Sequence, residues 1–110
     1  MNKHQHQIDS ILSSIGFSEL NQLQQETLEK SETSKNMMLL SQTGSGKTFA
    51  FLLPLFLRLD QQVTDIQAVI LAPSRELAIQ IESVFRAMKT NFKVLTCYGG
   101  HSMQDRKSNV

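Results

Sequence analysis

The sequence predicts an α/β fold in which buried strands alternate with packed helices. Three observations carry that expectation. The apolar run Met37-Met38-Leu39-Leu40 passes through a small-residue turn into the helix-prone run from Phe49 to Leu57. A second apolar run, Ala68-Val69-Ile70-Leu71-Ala72, precedes a long helical stripe, and a third β-favouring run spans Phe92 to Tyr98. Strands separated by crossover helices form parallel sheets, and strands covered on both faces read as continuous apolar runs.

The turn between the first strand and its helix is Ser41-Gln42-Thr43-Gly44-Ser45-Gly46-Lys47-Thr48. It fits the pattern G-x-x-x-x-G-K-[ST] except that serine stands at the first position, and it lies in the strand–loop–helix context that this pattern requires. Small residues let successive backbone N–H groups converge on one anion, aided by the positive end of the following helix. Lys47 is placed to reach the β- and γ-phosphates of a nucleotide, and the Thr48 hydroxyl to coordinate magnesium. These two are the catalytic candidates, and all eight residues are candidates for binding the nucleotide.

The chain has 110 residues, enough for one domain with a modest core, and 40% hydrophobic with 19% charged residues is ordinary for a globular protein. A formal charge of +1 argues against a non-specific polycation but allows a local nucleic-acid groove. The single cysteine, Cys97, excludes an intramolecular disulfide and agrees with a reducing compartment. No apolar run reaches membrane-spanning length, and the polar start lacks the apolar core of a secretory signal, so a cytoplasmic protein is expected.

In chain order, His4 and His6 lack partners for a metal site and read as part of a polar tail. Ile8, Ile11, Leu12 and Ile15 recur at helical spacing, and Gly16 is placed to end that helix. A second helix is expected over Gln25 to Lys30. Upstream of the phosphate loop, the Phe17 ring suits stacking on a base. The Gln24 carboxamide offers the donor and acceptor that match the N6 and N7 edge of adenine.

In the exit helix, Pro54 is expected to remove one backbone hydrogen bond and bend the axis. Residues 60–65 read as a surface turn. Pro73 stops the second strand and Ser74 caps the next helix, whose stripe of Leu77, Ala78, Ile81, Val84, Phe85 and Met88 is core. Arg75 and Glu76 then lie beside a strand's carboxyl end, where ligands of open α/β sheets bind. Cys97 is expected to be buried in the third strand. Gly99-Gly100 suits either a plain turn or the close approach of a polyphosphate backbone.

These stretches, in this order, resemble the first half of a DEAD-box ATP-dependent RNA helicase core. Gly16-Phe17 through Gln24 looks like that family's Q motif, and Ser41 to Thr48 like its motif I, where alanine is usual first. Pro73-Ser74-Arg75-Glu76-Leu77-Ala78 is similar to motif Ia, with serine for the usual threonine, and Tyr98-Gly99-Gly100 to the double-glycine motif. The resemblance implies a P-loop NTPase with a RecA-like three-layer parallel sheet, incomplete here. Residues 1–35 would form the helical Q-motif region and 36–110 part of the ATP-binding domain. It also implies that Gln24 reads adenine, that Phe17 stacks on it, and that ATP and magnesium are the cofactors. Pro73, Ser74, Arg75, Gly99 and Gly100 would contact the RNA sugar-phosphate backbone without regard to base sequence.

Two departures from the family pattern stand out. Leu20, Asn21 and Gln22 replace the usual Pro-Thr-Pro, and no Asp-Glu-Ala-Asp, Ser-Ala-Thr or second RecA-like domain follows. The 110 residues are therefore expected to be an N-terminal portion that neither hydrolyses ATP nor unwinds RNA alone. The alternatives are a nucleotide-binding fragment without turnover, or another P-loop enzyme such as a kinase or GTPase. The guanine-reading Asn-Lys-x-Asp that a GTPase needs is absent.

Overall fold

The structure, a computed structural model, describes residues 4–98. It contains four helices among them: α1 (Gln5–Ile15), α2 (Gln22–Ser31), α3 (Lys47–Arg58) and α4 (Arg75–Ala87). The described residues up to Asp60 form one compact unit, and those from Gln61 onward form another.

In the first unit, α1 buries Ile8, Ile11 and Leu12, the stripe its periodicity predicts. Gly16 ends it at φ 83°. That left-handed turn lets the Gly16 N–H reach the Ser13 carbonyl at 3.3 Å and the Phe17 N–H reach the Leu12 carbonyl at 2.9 Å, a Schellman-type ending. α2 starts three residues earlier than composition suggested, because Asn21 and Gln24 form a reciprocal capping box. Its buried face is partly polar, yet Thr27 Oγ1 donates to the Leu23 carbonyl and Ser31 Oγ to the Leu28 carbonyl, each at 2.7 Å. With those hydroxyls satisfied, the face packs on α3 without stranding a donor. Arg58, in the last turn of α3, donates to the Ser31 carbonyl at the end of α2.

α3 is the most buried element, with Phe49, Ala50, Leu52, Leu53 and Pro54 all in the interior. Pro54 offers no N–H to the Ala50 carbonyl, but the helix continues through it to Arg58. The packing of α2 on α3 places the N-terminal helices and the loop helix in the same unit.

In the second unit, Ser74 Oγ accepts from the Leu77 N–H at 3.1 Å and starts α4 as predicted. Ile81, Phe85 and Met88 of the stripe are buried, while Leu77, Ala78 and Val84 are half-buried. Residues 92–98 alternate: Phe92, Val94, Thr96 and Tyr98 are half-buried, and Lys93, Leu95 and Cys97 are exposed. This is the period-two pattern of an extended segment covered on one side. Phe92 and Val94 line a cavity of about 160 Å³ together with Phe85 and Arg86 of α4. Thr96 hydrogen-bonds to Glu82, which also pairs with Arg86 at 2.6 Å.

The expected sheet is not confirmed among the described residues. No strand is found among them, and the three apolar runs carry no regular secondary structure. Val69 is 76% exposed and Leu71 91%, where burial on both faces was expected, and Cys97 is exposed too. The reason is that a strand is a pairing between segments and not a local conformation. Each unit holds one or two such runs, below the three or more strands that independent stability requires.

Two outcomes follow from these exposed edges and from the Glu82 cluster. The 110 residues expressed alone should associate through Ile66, Val69 and Leu71, and replacing all three with lysine should lower the associated fraction in size-exclusion chromatography. A monomer that unfolds cooperatively would contradict this. Partial burial raises the Glu82 pKa, but hydrogen bonds from Arg86 and Thr96 and the Arg86 charge outweigh it, leaving the carboxyl below its ordinary value. The stability this adds is present above the ordinary glutamate range and is lost as pH falls through the depressed value. The protection factors of residues 92–98, taken relative to intrinsic exchange at each pH, should therefore fall in acid, and Glu82→Gln should flatten that dependence.

Candidate nucleotide site

The loop from Ser41 to Thr48 turns on two glycines in the left-handed region, Gly44 at φ 85° and Gly46 at φ 84°. Within it, the Ser41 and Ser45 hydroxyls hydrogen-bond at 2.7 Å, and Ser45 Oγ donates to the Gln42 carbonyl at 2.6 Å. Lys47 Nζ folds back to donate to the Ser41 carbonyl at 2.7 Å, which holds the ammonium over the loop. Gln42 and Thr43 are exposed.

α3 begins at Lys47 with no side-chain cap. The first intrahelical bond at this end runs from the Ala50 N–H to the Gly46 carbonyl at 3.0 Å. The N–H groups of Lys47, Thr48 and Phe49 therefore precede the ladder, at the positive end of the helix. Uncapped donors of this kind, with a lysine beside them, suit a phosphate. Among the described residues no group of three His, Cys, Asp or Glu side chains gathers for a metal.

The N-terminus of α2 leans on this loop. Asn21 Nδ2 donates to the Ser45 carbonyl at 3.0 Å, and Gln24 Nε2 donates to the Gly46 carbonyl at 3.4 Å. Gln24 is only 3% exposed. Its Oε1 accepts from the Asn21 N–H at 3.0 Å, while its own N–H donates to Asn21 Oδ1 at 2.8 Å. Phe17 meets Phe49 edge to face, with ring centroids 6.1 Å apart, and remains 48% exposed. The structure thus brings Phe17, Gln24 and the loop into one neighbourhood. Asn21 is the member that the sequence reading missed, although the spacing N-x-x-Q that marks a capping box was visible.

The description "DEAD/DEAH box helicase" belongs to the family whose sequence pattern matches residues 21–110. The chain belongs to that family. Relatives include the ATP-dependent RNA helicase CshA of Listeria monocytogenes, 40% identical over 88 residues that make up 78% of this chain and 17% of that protein. The RNA helicase CrhR of Synechocystis is 40% identical over 96 residues, 86% of this chain and 19% of that protein. The DEAD-box ATP-dependent RNA helicase CshA of Bacillus subtilis is 36% identical over 94 residues, 84% of this chain and 19% of that protein. The chain spans less than a fifth of the length of these relatives. No solved structure matches it at a significant level.

Of the residues that the family resemblance assigns to RNA, Pro73, Ser74 and Arg75 are exposed in the second unit. The Arg75 guanidinium lies 5.2 Å from the centroid of the Tyr98 ring, a cation–π contact. Gly99 and Gly100 lie outside the described residues.

Of the described glycines, Gly46 leaves the least room for a side chain. A Cβ built there would lie 2.6 Å from Gln24 Nε2 and 3.2 Å from Asn21 Nδ2, at a φ that L-residues rarely adopt. Gly46→Ala should cost about 1–3 kcal/mol of local stability and detach α2 from the loop. Faster proteolysis after Leu20 together with a lowered melting temperature would register it.

Proposed function

We propose that this chain is part of an ATP-dependent RNA helicase, with ATP bound at Ser41 to Thr48 and RNA held through its backbone. The observation that carries this reading is the uncapped start of α3 behind two left-handed glycines, with Lys47 held over the loop. Those groups fit the β- and γ-phosphates: N–H donors on one side and a mobile ammonium above. Residues 36–110 then belong to a RecA-like ATP-binding domain, and residues 1–35 form the helical lead that contacts the base. The full-length protein would complete the domain's parallel sheet and add a second RecA-like domain with its arginine finger, and would work in the cytoplasm.

Recognition of adenine is supported by what Gln24 has left over. A carboxamide carries two N–H donors and two acceptor lone pairs. One of each is used on Gly46 and Asn21, which leaves one donor for adenine N7 and one acceptor for its N6 amine. The exposed part of Phe17 is available to stack on the base, and its contact with Phe49 fixes the ring. Magnesium bound with ATP neutralises charge on the β- and γ-oxygens, and Thr48 is the loop residue whose hydroxyl would hold it. Lys47 exchanges its Ser41 contact for phosphate oxygens. At the RNA site, Arg75 would pair with phosphate while Pro73, Ser74, Gly99 and Gly100 let the sugar-phosphate backbone approach, so binding would follow A-form shape.

Removing the ammonium in Lys47→Ala should weaken ATP binding at least tenfold in a fluorescence titration, and equal affinity would refute the loop assignment. Wild type should prefer ATP to GTP, and Gln24→Ala should erase that preference. In the full-length protein, RNA should stimulate ATP hydrolysis, and its absence would remove the helicase reading while leaving nucleotide binding in place.

A further inference from the structure

We infer that Asn21 is a positioning residue for the phosphate loop, a role that rests on the nucleotide reading above and deepens it. The role follows from the planarity of the peptide bond. In a trans peptide the carbonyl and the following N–H point in opposite directions. A donor that captures a carbonyl from outside the loop therefore turns the next N–H inward.

α2 supplies two such donors on consecutive peptides. Asn21 Nδ2 holds the Ser45 carbonyl at 3.0 Å, which aims the Gly46 N–H the other way. Gln24 Nε2 holds the Gly46 carbonyl at 3.4 Å, which does the same for the Lys47 N–H. The Gly46 carbonyl has a further donor in the Ala50 N–H of α3, so its peptide plane is fixed without Gln24. The Ser45 carbonyl has its long-range support from Asn21, and the Gly46 φ of 84° makes this the peptide with the most freedom to flip. If it flipped, a carbonyl oxygen would face the phosphate and repel it.

The same Asn21 side chain accepts the Gln24 N–H at 2.8 Å as the helix cap. One carboxamide thus joins the start of α2 to the orientation of the loop, with its oxygen on the helix and its nitrogen on the loop. A hydroxyl residue at this position retains the cap, since serine and asparagine are comparable N-caps, but it is one atom short for the strut. That difference separates the two roles.

The test compares Asn21→Ser with wild type and Lys47→Ala in the full-length protein, by titrating ATP, ADP and adenosine separately. Asn21→Ser should weaken ATP and ADP about five- to tenfold, the weight of one hydrogen bond, while adenosine affinity and melting temperature stay as in wild type. Unchanged ATP affinity in Asn21→Ser would overturn the inference, as would an equal loss for adenosine, which has no phosphate to sense the loop. Failure of the nucleotide reading looks different: Lys47→Ala would then bind ATP as tightly as wild type, whatever Asn21→Ser does.

Discussion

The contact of two side-chain amides with two consecutive loop carbonyls is the constraint on which the geometry of the phosphate loop depends. It is made possible by the capping box, because the bonds that start α2 also set the direction in which Asn21 and Gln24 point. Packing of α2 on α3 supplies the rest of the geometry. Since α3 begins at Lys47, fixing the two helices against one another fixes the loop's exit. The apolar face of α3 therefore serves the site from a distance. Truncating Leu52 or Leu53, both essentially without exposure, would remove about 2–5 kcal/mol from a unit of few helices and loosen the loop as well.

The second unit is organised on a weaker principle. α4 carries one apolar stripe, and the extended residues 92–98 cover part of it with every second side chain. Glu82 ties the segment down through Thr96 and the helix to itself through Arg86. An exposed pair of this kind contributes about 0.3–0.5 kcal/mol, so the attachment relies mainly on Ile81, Phe85 and Met88. The Arg75 and Tyr98 contact brings the first turn of α4 beside the end of that segment.

What was legible in the sequence was what short-range chemistry decides. Gly16 ended α1 because only a residue tolerant of positive φ closes that turn, and Ser74 began α4 because its hydroxyl can accept an N–H three residues on. The phosphate loop was legible for the same reason, since glycines and a lysine at fixed offsets act within one turn of chain. The capping box at Asn21 was legible in principle from the spacing N-x-x-Q, although its reach to the Ser45 carbonyl depends on how α2 packs. The strands were not legible as they stand. Strand formation depends on partners distant in sequence, and the runs at 37–40, 68–72 and 92–98 stay without regular structure here. Cys97 fell on the exposed side for a related reason, as a segment covered on one face alternates where a fully buried one does not.

The crowding at Gly46 gives the loop an asymmetric freedom to change over time. Shortening the residue at position 24 would remove the amide that a new Cβ would strike, but it would not alter the backbone angle that excludes a side chain at 46. Giving up the carboxamide would sacrifice the helix cap and the base-reading amide while leaving the glycine's turn in place, whereas losing the glycine breaks the loop and the helix contact together. Descendants that keep both the helix cap and the loop should therefore retain the pair, glutamine at 24 with glycine at 46.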